Sequence, residues 1–277
     1  YDYKHIPYSV FMYPDGSIVQ RKDIPKITTV VHSKVVTDYT FDENSEIKVE
    51  VKTKNFELVE CSSIEDKTPW DIFSEVPNAQ NFFELYSLCP KFESKDDLLI
   101  ENDAANPPFS QYFVRYFPCS LPSGCFTKEQ LAGISVYNTV PYVSLNNKVK
   151  ESPVKLLPQT NIFYRINPLV HLENYLMYRE NIVLNNEGLF FPTEEVGRYL
   201  DPQASWIAQS ERIGSGIQCS TNDIQNLNLI DCPPYLTYIY MPGNQIKETE
   251  RQYPFILDTL GEIGGFRDII GLFIGLI

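Results

Sequence analysis

The sequence lacks the motifs by which many enzymes and metal sites are recognised. It has no C-x-x-C pair, no glycine-rich phosphate loop and no dinucleotide-binding fingerprint. Its three histidines, His5, His32 and His171, are scattered and lie in no pattern typical of a catalytic triad or a zinc site. We therefore expect no enzymatic activity, no cofactor and no bound metal ion.

Clustered positive charge is also missing. The chain has 277 residues, with 23 Lys and Arg against 36 Asp and Glu, which gives a formal net charge of −13. A nucleic-acid-binding surface needs grouped Lys and Arg to neutralise phosphates, so nucleic acid is excluded as an expected partner. The acidic stretch from Glu93 to Asp103 lacks the alternate acids and central glycine of a calcium loop, and we interpret it as a solvated loop.

Residues that can build a β-rich core are abundant. Hydrophobic residues make up 43% of the chain and aromatic residues 13%. Residues 1–253 are dominated by runs that alternate with period two and are separated by turn residues. The pattern predicts a mainly β, antiparallel, sandwich-like ectodomain over 1–253 with a few short helices. One helix is predicted after the capping box Thr127 to Gln130, and another from Thr193 to Leu200.

Several strands and hairpins can be placed by their turn residues. A hairpin is predicted around Asp15-Gly16, and strands are predicted at 30–36, 47–51 and 112–117. A further hairpin is predicted to turn at Asn185 to Gly188. The last predicted hairpin has its first strand from Tyr235 to Tyr240, its turn at Pro242 to Asn244 and its second strand from Ile246 to Tyr253.

The final 24 residues, 254–277, form a glycine-rich apolar stretch. On an α-helix, Gly261, Gly264, Gly271 and Gly275 share one face with Asp268. Each glycine costs an exposed helix about 1 kcal/mol relative to alanine, whereas close packing of membrane helices favours small residues. We predict that 254–277 begins a C-terminal transmembrane helix whose glycine face packs on another helix.

Asp268 lies within that glycine face and has two interpretations. An acidic residue among packed membrane helices can line an ion path or form an inter-helix pair. Alternatively, Asp268 lies at headgroup depth and pairs with Arg267 or with a neighbouring subunit.

The six cysteines indicate the kind of cellular compartment in which the chain is found. Their even number beside a predicted membrane segment favours disulfides in an oxidising compartment, although six buried thiols in a cytosolic domain are the alternative. Cys119 and Cys125 flank a turn at Pro122 to Gly124 that would bring them together, so this pair is the leading prediction. Chain proximity alone suggests the other two pairs, which are Cys61 with Cys89 and Cys219 with Cys232.

The C-terminal segment resembles a known membrane family. Leu260-Gly-Glu-Ile-Gly-Gly265 followed by Gly271-Leu-Phe-Ile-Gly275 is similar to the second transmembrane segment of the degenerin and epithelial sodium channel family. Five residues separate the two blocks here, against two in that family. A β-rich body that enters a C-terminal membrane helix also resembles the uncharacterised two-pass membrane proteins of ciliates.

These resemblances imply the ectodomain of an oligomeric membrane protein with a channel-like two-pass architecture. The expected partners are membrane lipid and further copies of the same chain, and the bulk of the chain would be extracellular or lumenal. A structural cell-surface or filament-forming protein, or an accessory subunit of a membrane complex, are the alternatives. The sequence identifies no small-molecule ligand.

Overall fold

A computed structural model describes residues 8–41, 46–60, 63, 88–98, 100, 108–145, 154–186, 194–212 and 216–252. The fold is mainly β, as predicted, with several sheets and a few short helices. In chain order the strands are β1 (Tyr8–Met12), β2 (Thr28–Phe41), β3 (Ile47–Phe56), β4 (Leu58–Glu60), β5 (Leu88–Pro90), β6 (Phe109–Pro118), β7 (Ser135–Leu145), β8 (Val154–Arg165), β9 (Val170–Asn186), β10 (Glu194–Glu211) and β11 (Leu236–Gln252). The helices are α1 (Ile24–Ile27), α2 (Lys128–Leu131) and α3 (Thr221–Gln225), with 3-10 turns at Arg21–Asp23 and Lys95–Leu98.

Three sheets organise these strands. The largest has the order β10-β9-β11-β6-β2-β3, a second has the order β1-β7-β8, and a third pairs β4 with β5. The pairs β1–β7, β2–β3, β2–β6, β4–β5 and β6–β11 are antiparallel.

The chain divides into two compact units. The first contains residues 1–142, 156–179 and 201–244, and the second contains 143–155, 180–200 and 245–277. Within the second unit, Asn181 and Val183 of β9 are buried, and Thr249 of β11 donates a hydrogen bond of 3.3 Å to the side chain of Asn181. The predicted domain boundary at 253/254 lies outside the described residues.

Tyrosines fill the core of the first unit. The β6–β11 ladder places Tyr238 and Tyr240 of β11 on the same face as Tyr116 of β6. Phe11 of β1 meets the Tyr116 ring at 5.9 Å, and Tyr164 of β8 meets the Tyr238 ring at 5.9 Å, both edge to face. The small and large sheets therefore pack face to face here, which is the sandwich-like arrangement that the alternating pattern predicted.

Local sequence signals were accurate where a few neighbouring residues decide the structure. Gly16 occupies the turn after β1 with φ of 82°, a conformation that suits glycine, and Met12 bridges to Ile18 across it. The Thr127 hydroxyl accepts from the backbone N–H of Gln130, and the Gln130 side chain accepts from the backbone N–H of Thr127. This reciprocal bonding is the capping box that was predicted to start α2.

Two predictions about secondary structure are wrong. Residues 194–200, predicted as a helix, belong to the 18-residue strand β10, because pairing with β9 outweighs the local capping signal. The turn predicted at Pro242 is also absent, since β11 runs from Leu236 to Gln252. Its ladder with β6 covers Leu236 to Tyr240, so the missing N–H of Pro242 removes no hydrogen bond from that ladder.

The acidic stretch is less solvated than predicted. Asp97, in a 3-10 turn, is buried and forms an ion pair of 2.8 Å with Lys54 of β3. Its second carboxylate oxygen accepts from the backbone N–H groups of Glu93 and Ser94. Burial opposes ionisation, but these bonds hold the pKa of Asp97 below its usual value.

Candidate functional site

Disulfide bonds occur at two of the predicted positions. Cys119 bonds to Cys125 and Cys219 bonds to Cys232, with Cα atoms 5.8 Å and 5.9 Å apart. Both distances fall in the ordinary range for disulfides. Cys89 is also disulfide-bonded, whereas Cys61, its predicted partner, lies outside the described residues.

The two disulfide loops meet beside the six-stranded sheet. The backbone N–H of Cys219 donates to the carbonyl of Cys119 at 3.1 Å. The loop from Cys219 to Cys232 carries α3, and Ile224 of that helix packs with Cys232 against Phe117 of β6. The loop therefore covers one part of the sheet face opposite the tyrosine core.

The glycine face and Asp268 of the predicted membrane helix belong to the segment 254–277. Gly261, Gly264, Asp268, Gly271 and Gly275 all lie outside the described residues. In the part of the chain that is described, no helix is both long enough and apolar enough to cross a bilayer. The same part contains no group of three or more His, Cys, Asp or Glu side chains placed to hold a metal ion.

A cluster of polar and aromatic side chains lies on the sheet face opposite the tyrosine core. We call it the polar face. Five strands contribute to it, β2, β6, β9, β10 and β11, and every residue that forms it belongs to the first unit. Its residues are Ser33, Phe113, Arg115, His171, Glu173, Tyr175, Trp206 and Thr237.

Arg115 is the buried cation of the polar face. Its guanidinium donates to the Ser33 hydroxyl at 2.7 Å and lies 4.1 Å from the centre of the Phe113 ring. Burial lowers the pKa of Arg115 to about 10, while the negative charge of Glu173 opposes that shift. Arg115 therefore remains charged at neutral pH, held by one hydroxyl, one aromatic ring and one nearby carboxylate.

His171 and Thr237 form the only hydroxyl–imidazole pair that we find among the described residues of this face. His171 Nε2 lies 2.9 Å from Thr237 Oγ1 and 4.0 Å from a carboxylate oxygen of Glu173. A nucleophilic triad needs the acid at the other ring nitrogen and a hydroxyl that substrate can reach. Thr237 is only 3% exposed, so this pair fits a structural role.

The ionisation of His171 agrees with a structural role. Burial lowers its pKa, Glu173 raises it, and the positive charges of Arg212 and Arg115 lower it further. The balance leaves a neutral imidazole at pH 7. The interaction with Glu173 is therefore not an ion pair at that pH.

An aromatic stack forms the exposed end of the polar face. The rings of Tyr175 and Trp206 are parallel within 4° at 5.0 Å, and Trp206 is 43% exposed. The Tyr175 hydroxyl donates to Glu173 at 2.8 Å. Burial, together with that bond, raises the pKa of Tyr175 to about 12. Such a surface can contact a polar partner through one aromatic plane and one carboxylate.

Comparison with known protein families assigns most of the chain to a family. The family model described as "Uncharacterised 80 kDa protein N-terminal domain" matches residues 12–234, which is well over half of the chain. The chain belongs to this family. No curated protein and no solved structure matches it. The matched region of this N-terminal domain family contains both disulfide loops and every polar-face residue except Thr237.

Sequence reasoning missed the polar face of this family member. Arg115 carried a usable signal, because it is a lone charge inside the aromatic strand Tyr112 to Phe117. The alternate positions of His171, Glu173 and Tyr175 on β9 carried another. Without the strand order, however, nothing indicated that these side chains meet Thr237 and Trp206.

Proposed function

We propose that this chain is the extracellular or lumenal domain of an oligomeric membrane protein with a channel-like two-pass architecture. The observation that supports the compartment best is the pair of disulfides, Cys119–Cys125 and Cys219–Cys232. Disulfides persist in oxidising compartments and are rare in the cytosol. The proposal includes no enzymatic reaction.

Membrane attachment in this proposal depends on the sequence of 254–277. Its glycine stripe suits close packing against a second helix, and its resemblance to the degenerin and epithelial sodium channel segment agrees with that arrangement. Asp268, in the same stripe, would then face the helix bundle, where it could line an ion path or pair with another helix.

Substitutions on the two faces of this helix test the proposal. Gly271→Leu or Gly275→Leu should strongly reduce crosslinking between subunits in membranes, because leucine prevents close helix approach. The matched controls Ile270→Leu and Phe273→Leu lie outside the stripe and should leave crosslinking nearly unchanged. Equal losses in both classes, or recovery of the chain in the soluble fraction, would contradict the proposed helix face or the membrane attachment.

A structural, filament-forming protein is the second candidate. Both outer strands of the six-stranded sheet, β3 and β10, carry exposed apolar side chains, including Val49 and Ile207. Exposed edge strands can join copies into open arrays. Electron microscopy of the purified chain discriminates the two, because a channel-like assembly forms closed rings whereas a filament grows without closure.

A further inference from the structure

Strand β3 ends the six-stranded sheet beside its neighbour β2. The β2–β3 ladder extends from the pair Phe41–Ile47 to the pair His32–Phe56. Strand β6 pairs with β2 from Thr28 to Thr37. Among the described residues, β2 and β3 continue past Thr37 as a two-stranded ribbon, and strand pairs are stabilised when further strands join them.

The ribbon exposes a row of apolar side chains. Ile47 is 64% exposed, Val49 51% and Val51 57%. They alternate with Lys48, Glu50 and Lys52, so one face of β3 is apolar and the other is charged. A strand of this kind at a sheet edge is a template for pairing with another strand.

The charge order of β3 is complementary to itself in one antiparallel alignment. When two β3 strands are centred on Val49, Lys48 of each copy lies opposite Glu50 of the other. The apolar face then pairs Ile47 with Val51 and Val49 with its own counterpart. One step further out, Glu46 lies opposite Lys52. Every directly opposed pair from 46 to 52 is thus either apolar or of opposite charge.

Neighbouring alignments lack this complementarity. Centring the strands on Glu50 opposes the two Glu50 side chains and places Lys48 against Lys52. Centring them on Lys48 opposes the two lysines and places Glu46 against Glu50. A shift by one residue pairs apolar with charged side chains, and parallel pairing in register places like charges together.

The residue pairs of the β2–β3 ladder give a second reason to expect a lysine on the outer side of β3. Glu50 lies opposite Asp38 of β2, so two acids face each other within the chain. Lys52 already contacts Glu50 at 3.0 Å along the strand. A lysine arriving from the open side of β3 would further offset the repulsion between these two acids.

We propose that two copies of this chain associate through antiparallel pairing of their β3 strands, centred on Val49. The two six-stranded sheets then become continuous across a two-fold axis, and each exposed ribbon gains two further strands. The self-complementary charges of β3 favour a second copy of the same chain as the partner. The pairing does not depend on the membrane attachment proposed above, since it uses none of residues 254–277.

Charge reversal tests the pairing. In the whole 277-residue chain, Lys48→Glu should weaken dimerisation by about tenfold or more, because both symmetric pairs become Glu–Glu. Glu50→Lys should do the same by creating two Lys–Lys pairs. The double variant should return to within about threefold of the original dissociation constant. Lys22→Glu, the same charge change at an exposed site in the first 3-10 turn, is the matched control and should have no effect.

Sedimentation velocity in mild detergent over a range of concentrations measures these dissociation constants. Single variants that dimerise like the original chain, or a double variant no better than the singles, would overturn the proposal. Association lost in Gly271→Leu but unchanged in Lys48→Glu would overturn β3 pairing while leaving the membrane-helix assembly intact.

Disulfide trapping tests the alignment. Val49→Cys should crosslink two copies under mild oxidation, because the two Val49 positions face each other on the axis. Ile47→Cys should crosslink poorly, since its counterpart lies four residues along the strand, about 13 Å away. Ala208→Cys, exposed on the opposite edge strand β10, is a second control. Crosslinking at Ile47→Cys or Ala208→Cys equal to that at Val49→Cys would overturn the alignment.

Discussion

Strands β3 and β6 belong to one sheet and have opposite environments. All residues of β3 from Ile47 to Asn55 are exposed, whereas every residue of β6 is buried or half-buried. Strand β6 lies between β11 and β2, and β3 lies at the end of the sheet order. Both sequences favour strands, but β6 is aromatic and β3 alternates valine or isoleucine with charges. Period-two alternation therefore predicts a strand, and the position in the sheet decides how much of it is buried.

Truncating a core tyrosine in the β6–β11 ladder should lower the free energy of unfolding more than any other change considered. Tyr238 is fully buried and its ring contacts Tyr116, Tyr164 and Tyr240. Tyr238→Ala should lower the free energy of unfolding by about 3–5 kcal/mol, because it leaves a cavity. Urea denaturation measures the loss. Tyr238→Phe keeps the ring and should lose far less, and equal losses in the two variants would show that the hydroxyl rather than the packing matters.

Removing a disulfide bond should cause the second-largest loss in the free energy of unfolding. Replacing Cys219 and Cys232 with alanine should lower the free energy of unfolding by about 3 kcal/mol, because the bond restricts the unfolded chain. The shorter loop between Cys119 and Cys125 should contribute about 2 kcal/mol by the same argument. Thermal unfolding of the two double variants compares them. The reverse order would contradict loop closure as the cause of the difference between the two disulfides.

Acid should lower the free energy of unfolding because His32 is buried in the core. Its Nδ1 lies 2.8 Å from the Tyr112 hydroxyl, and burial lowers its pKa from 6.5 to about 3. The unfolded chain therefore binds a proton below pH 6.5 that the folded chain does not. Stability should be greatest above that pH and should fall by about 1.4 kcal/mol per pH unit towards pH 3.

Unfolding measured at pH 7 and pH 5 checks this dependence. In His32→Gln, which cannot bind a proton, the fall between the two values should be smaller by about 2 kcal/mol. An unchanged fall would mean that other groups account for the acid sensitivity.

The smallest effect is expected at the exposed edge. Val49→Thr keeps the shape of the side chain and should change the free energy of unfolding by less than about 0.5 kcal/mol when the chain is monomeric. A loss above about 1 kcal/mol in dilute solution would show that the ribbon is packed within its own chain, and the contrast with β6 would no longer hold.

Features decided by near neighbours were predictable from the sequence. The Cys119–Cys125 bond and the Thr127 capping box each depend on residues a few positions apart. The turn proposed at Pro242-Gly243 failed because those residues are common in turns, yet pairing with neighbouring strands carries β11 straight through them.

The polar face could not be predicted for a different reason. Arg115, His171 and Thr237 are far apart in the chain and are brought together by the order β9-β11-β6, which alternation does not determine. The same holds for the stack between Tyr175 and Trp206. A sequence can therefore indicate which residues form strands long before it indicates which side chains share a site.

The Tyr175–Trp206 stack gives the protein a built-in optical reporter. The chain has two tryptophans, Trp70 and Trp206, so Trp70→Phe leaves one indole emitter on the polar face. The Trp206 indole is partly exposed to solvent and stacks on the ring of Tyr175, whose hydroxyl donates to Glu173. A partner that covers the stack will shift the emission of Trp206 to shorter wavelength, so binding of purified partners that contain no tryptophan can be followed by fluorescence without attaching a dye.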